Sequence, residues 1–107
     1  MKVITKSDFL SIHKKRGIFA FLNGESCKLC EKYMKEISNF KSSPFYSLLQ
    51  IILLRDDDRH WMVVENQVLS TPCTRIYVDN MYVYQKGGVL FSTQINEFES
   101  KIKEWDL

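Results

Sequence analysis

Three cysteines are the residues best suited to chemistry in this chain, and two of them, Cys27 and Cys30, stand two residues apart in "NGESCKLCEKYMKEI" (23–37). Thiols at this spacing can form half of a zinc site, make and break a disulfide, or pack as small core residues. A closed zinc site needs four ligands. Only Cys73, His13 and His60 remain to complete one, and none supplies a second pair at metal spacing. Cys30, Tyr33, Met34 and Ile37 recur at i, i+3, i+4 and i+7. A helix starting near Ser26 or Cys27 therefore turns Cys30 toward the core and leaves Cys27 at an exposed first turn.

The flanking elements must present that pair. "IFAFL" (18–22) is a nearly all-apolar run, as expected of a strand covered on both faces, and it leads directly into the cysteines. Before it, "KVIT" predicts a short strand. A helix then follows, with Ser7 and Asp8 at its start, Phe9 and Ile12 on its apolar face, and Lys14, Lys15 and Arg16 in its last turn.

After a loop at "KSSP", the run "LLQIILL" (48–54) predicts a second buried strand, and Asp56 to Asp58 cap a helix beginning near Arg59 that holds Trp61 and Val64. "RIYVD" and "MYVYQ" form an antiparallel hairpin turning at Asp79-Asn80. Phe91, Ile95, Phe98, Ile102 and Trp105 then mark the apolar stripe of a terminal helix capped by Ser92. The order βαβαβαββα requires parallel crossovers followed by a hairpin, which is an α/β architecture with a central mixed sheet flanked by helices.

Composition bounds what this assembly can be. At 107 residues, 45% hydrophobic and 26% charged, the chain is expected to form one domain over residues 1–107. Fifteen basic residues against 13 acidic ones leave a net charge of +2, with no basic stripe or recognition motif, so no nucleic-acid partner is expected. The amino terminus turns polar too soon for the apolar core of a signal peptide, and "LLQIILL" is too short to span a bilayer. A cytoplasmic monomer with no membrane partner is expected, and an odd cysteine count fits thiols kept reduced rather than a disulfide framework.

Taken together, the Cys-x-x-Cys between second strand and helix, Thr71-Pro72 before the hairpin, and Gly87-Gly88 after it resemble the thioredoxin-fold family, over essentially the whole chain. The ending "GGVLFSTQINEF" is similar to the segment leading thioredoxins into their final helix. The resemblance implies a thiol-disulfide oxidoreductase in which Cys27, at a helix N-terminus that favours its thiolate, is the nucleophile and Cys30 resolves the mixed disulfide. It implies a cis peptide at Pro72 facing the cysteines, with Thr71 pairing to an extended substrate, and substrate choice at the surface around Leu29, Thr71 and Gly88. Lys28 would stabilise the thiolate and Glu25 oppose it. Cys73 is read as a core residue or as a third thiol near the pair.

The family further implies protein disulfides as substrates, thioredoxin reductase or glutathione as electron donor, ribonucleotide reductase among common targets, and no cofactor beyond the Cys27-Cys30 disulfide. Departures accompany the match. Ser26 precedes the pair where thioredoxins carry Trp, and Phe21 holds the place of their buried acid. Gly24, Ser70-Thr71-Pro72 and Val89 to Phe91 do not reproduce the glutaredoxin pattern. The alternatives are a glutathione-coupled glutaredoxin-like enzyme and a redox-inactive binding subunit of the same fold.

Overall fold

The computed structural model describes all residues 1–107. In chain order the elements are β1 (Lys2–Ile4), α1 (Lys6–Ser11), β2 (Gly17–Asn23), α2 (Lys28–Ile37), α3 (Pro44–Leu48), β3 (Leu49–Leu54), β4 (Cys73–Val78), β5 (Met81–Gly87) and α4 (Ser92–Glu104). The strands form one sheet in the order β1-β3-β2-β4-β5, with β1, β3 and β2 parallel and β4 and β5 antiparallel to their neighbours. This is the expected mixed sheet. No helix is long and apolar enough to cross a membrane.

β2 is central, and Gly17 to Leu22 are all buried because each face of the sheet carries its own core. On one side Ile18, Ala20 and Leu22 pack with Cys30, Tyr33 and Ile37 of α2, Phe45 of α3, and Ile95, Phe98 and Ile102 of α4. On the other, Phe19 and Phe21 pack with Phe9 of α1, Ile52, Leu54, Met62, Cys73 and Tyr77. Alternate residues of one strand thus feed two different cores.

Several ends differ from expectation. The N-cap of α1 is Thr5, not Ser7. Its hydroxyl accepts from the Asp8 N–H at 3.0 Å, while the Asp8 carboxylate accepts from the Thr5 N–H at 3.0 Å. α1 stops at Ser11, so Lys14, Lys15 and Arg16 lie beyond it, where the Arg16 guanidinium donates to the carbonyls of Trp105 and Asp106.

The loop expected at "KSSP" contains the short helix α3, capped by Ser43 with Pro44 in its first turn, where proline's missing N–H costs nothing. Asp56–Asp58 form a single 3₁₀ turn, and Trp61–Glu65 a widened π-type turn in place of a regular helix. Ser92 is the first residue of α4 rather than its cap; the cap is made by Gln94, whose Oε1 accepts from the Phe91 N–H at 3.0 Å. The hairpin is as read, with Asp79 and Asn80 left-handed at φ 50° and 69°, as a two-residue hairpin turn requires.

The Thr5–Asp8 box gives a prediction. Thr5→Ala is expected to lower the unfolding free energy by about 1 kcal/mol, measured by urea denaturation at neutral pH. The Thr5 N–H and hydroxyl hold the Asp8 carboxyl below its usual range. Its contribution is therefore present above the unfolded carboxyl pKa of about 4 and is lost as pH falls through the lower folded value. A Thr5→Ala protein as stable as wild type at neutral pH would exclude this role.

Candidate redox site

Cys27 and Cys30 are joined by a disulfide at the start of α2. Cys27 is the N-cap residue and partly exposed, and Cys30 is 4% exposed in the core beneath it. The Cys30 N–H donates to Cys27 Sγ at 3.1 Å, one of the backbone donors a helix leaves free at its first turn. Together with the α2 dipole, this donor favours a negative charge on Cys27 once the bond is reduced.

The turn carrying the pair is fastened from below. Asn23, at the end of β2, uses its Oδ1 to accept from the Glu25 N–H at 2.7 Å and the Ser26 N–H at 3.4 Å, while its Nδ2 donates to Asp56. The Gly24 N–H donates to the Leu54 carbonyl at 2.8 Å, tying the turn to the end of β3. Glu25 is drawn into an ion pair with Arg55, 3.0 Å between Oε1 and Nε, which offsets part of its charge. Lys28 is exposed and makes no ion pair.

Opposite the disulfide lies Thr71-Pro72, whose peptide bond is cis. Thr71 places its carbonyl oxygen 3.8 Å and its hydroxyl 3.7 Å from Cys27 Sγ. Gly88, left-handed at φ 85°, donates its N–H to the Pro72 carbonyl at 2.8 Å, so the glycine pair meets the same surface from the hairpin side. Leu29 is 56% exposed beside Cys27, with Leu69 at 79% on the segment leading to Thr71. The structure thus brings Cys27, Cys30 and Thr71 together, with Leu29 exposed next to Cys27 in the chain and Gly88 tied to Pro72.

Cys73 takes the first of its two readings, a core residue, and is not a third thiol near the pair. Cys73 is a free thiol in the core on the opposite face of the sheet from Cys30, near Gln85 rather than the disulfide. Burial pushes its pKa up, partly offset by Arg75, which makes it a poor nucleophile. The reason is phase: β4 alternates Cys73, Arg75 and Tyr77 to one core and Thr74 and Ile76 to the other. Phe21 packs in the core on the opposite face of the sheet from Cys30. On the Cys30 side, the buried polar groups are the Tyr33 and Thr74 hydroxyls, 2.8 Å apart, and burial raises the Tyr33 pKa well above its ordinary value. His13 and His60 are exposed, and no three His, Cys, Asp or Glu side chains converge as metal ligands do.

Sequence reasoning missed the residues on the far wall. A cleft of about 480 Å³ opens beside Cys27, and Arg55, Asp56, Arg59, Met62 and Leu69 line it. Only the Asn-Gly pair at 23–24 hinted at the turn. The cleft itself depends on β2 and β3 running parallel in register, Asn23 beside Leu54, which local patterns do not reveal.

No family model and no curated relative matches the sequence. Solved structures do. A thioredoxin of Chlamydomonas reinhardtii, thioredoxin f2, superposes with a TM-score of 0.68 at 10% identity, covering 97% of this chain and 94% of that one. A thioredoxin of Plasmodium falciparum gives 0.66 at 17%, covering 94% and 97%, and the Malassezia sympodialis thioredoxin 0.66 at 11%, covering 100% and 91%. The fold is that of thioredoxins, and at these identities the likeness is one of fold.

Proposed function

We propose that this protein is a thiol-disulfide oxidoreductase that reduces protein disulfides with the Cys27-Cys30 dithiol. One observation carries the reading: the disulfide caps α2, with the Cys30 N–H on Cys27 Sγ and the Thr71 carbonyl and hydroxyl across from it. In the reduced protein the Cys27 thiolate attacks one sulfur of the substrate disulfide, and the other sulfur leaves as a thiolate that takes a proton from water. Cys30 then gives its proton to solvent and attacks Cys27, releasing the second substrate thiol. Two electrons have passed to the substrate, and the Cys27-Cys30 disulfide is left. That bond is the only redox group the cycle needs.

Thr71 supports the reading because its backbone carbonyl faces the sulfur, where an extended substrate segment can pair with it. Exposed Leu29 and Leu69 supply apolar contact of the kind a protein surface would cover. A cytoplasmic thioredoxin reductase or the glutathione pool would return the electrons.

Equilibration of the protein against glutathione buffers, with thiol trapping and mass spectrometry, tests this. A reversible 27–30 disulfide with a potential near or below roughly −200 mV is expected, the range of the reducing enzymes of this chemistry. A much higher potential would make the protein a disulfide donor, and absence of a reversible bond would leave only the binding-subunit reading.

A further inference from the structure

The cleft beside Cys27 is bounded by the turn at 23–27, the end of β3 and the segment at 69–71, and its charged side chains are Arg55, Asp56 and Arg59. Two of the three are engaged. Arg55 holds Glu25 at 3.0 Å, and Asp56 accepts from Asn23 Nδ2 at 2.9 Å. Arg59 forms neither an ion pair nor a side-chain hydrogen bond, so of the three it is the one without a partner, while Asp56 keeps its charge under a neutral donor. A guanidinium presents a planar fork of N–H donors that matches a carboxylate with two parallel hydrogen bonds.

We propose that Arg59 makes this cleft a charge-reading subsite, which takes a carboxylate carried on the flank of the substrate disulfide. The inference rests on the dithiol reading above and narrows its substrate class to disulfides with an acidic neighbour. Cys27 carries the reacting sulfur and lines the same cleft as Arg59, so the carboxylate is one on the part of the substrate that occupies this cleft while its sulfur meets Cys27. The carboxylate can come from an acidic residue beside a protein cysteine or from glutathione in a mixed disulfide.

The test uses the reduced full chain and three small disulfides alike in their S–S bond but different in charge: glutathione disulfide, which is anionic, neutral hydroxyethyl disulfide and cationic cystamine. Acid quenching and mass spectrometry follow formation of the 27–30 bond. At low salt the rates should fall in that order. Arg59→Glu should lower the anionic-to-cationic rate ratio by roughly fivefold, the scale of an exposed charge pair. Arg59→Lys should restore part of the ratio, and half-molar salt should flatten it in wild type.

Two cysteine peptides in disulfide form, one with Asp and one with Lys beside the cysteine, separate the sources. Preference for the Asp peptide without preference for glutathione disulfide assigns the subsite to protein flanks, and the converse assigns it to glutathione. Equal rates with all probes, or a ratio untouched by Arg59→Glu, would overturn the subsite while leaving the dithiol chemistry standing. Failure of every disulfide to oxidise the pair would overturn both.

Discussion

A reduced Cys30→Ser variant mixed with a disulfide substrate is expected to stop at a stable covalent adduct through Cys27. The reason is positional. Cys27 sits at the cap of α2, partly exposed and facing Thr71, so it can meet a substrate sulfur, whereas Cys30 is buried one turn deeper. Release of the adduct then depends on an outside thiol. Well-oriented intramolecular groups act at effective concentrations of about 10⁵ M or more, against millimolar free thiol, so turnover should fall at least a hundredfold or so even with added reductant. Cys27→Ser should remove adduct and turnover together, since the remaining thiol lacks both exposure and the helix-terminal donor. Non-reducing mass spectrometry reads the adduct and its site. An adduct through Cys30 in wild type, or multiple turnovers by Cys30→Ser at the wild-type rate, would sink the assignment of roles.

Much of this arrangement was legible in the sequence because its signals are local. Cys27 and Cys30 sit on a helical repeat that continues through Tyr33 and Ile37, and the repeat alone separates an exposed thiol from a buried one. Asp79-Asn80 turns a hairpin because those two residue types tolerate the left-handed backbone the turn demands. The all-apolar "IFAFL" run announced a strand covered on both faces.

What the sequence did not disclose depends on choices made between elements. Thr5 and Ser7 are both plausible caps, and the partner that decides, Asp8, stands three residues after Thr5. Phe21 lies shortly before Cys27 in the chain, yet strand phase sends it to the other core, and the same phase decides that Cys73 is a core residue and not a third thiol near the pair. Arg59 reads as one more exposed charge until parallel pairing of β2 and β3 brings the end of one strand beside the other.

Arg75 is the strongest case of a residue whose importance comes only with the fold. In "RIYVD" it is one charged residue at the start of a β-rich run, with nothing in the sequence to mark it. In the structure it is fully buried, because β4 lies inside the sheet between β2 and β5 and the segment at 66–68 covers it. No carboxylate pairs with it. Its Nε donates to Gln85 Oε1 at 2.9 Å, one terminal nitrogen donates to the Asn66 carbonyl at 2.8 Å and the Tyr77 hydroxyl at 3.0 Å, and the other donates to the Gln67 carbonyl at 3.0 Å. The Tyr82 ring lies over the guanidinium, 3.8 Å from centroid to carbon. The cation is thus held by neutral acceptors and an aromatic face, a satisfied if costly burial.

These acceptors make Arg75 the clamp between the sheet and the segment that continues through Leu69 to Thr71. Arg75→Ala opens a cavity and leaves two carbonyls without their donors, which should cost about 3–5 kcal/mol. At about 4–8 °C per kcal/mol for a domain of this size, the midpoint of thermal unfolding should fall by at least roughly 12 °C. Arg75→Lys and Arg75→Met separate the causes. Lysine keeps a buried charge without the fork, whereas methionine removes the charge and fills much of the volume, so Met should be no less stable than Lys and both less stable than wild type.

Urea and thermal unfolding at neutral pH read this loss. A functional mark should accompany it. In the folded Met variant, loosening of 66–71 should raise KM for a protein disulfide more than it lowers kcat, because Thr71 shifts while the Cys27-Cys30 pair on α2 stays in place. If Arg75→Lys melts with wild type, the fork is not what holds the clamp. If Arg75→Met lowers kcat alone, the segment does not position substrate.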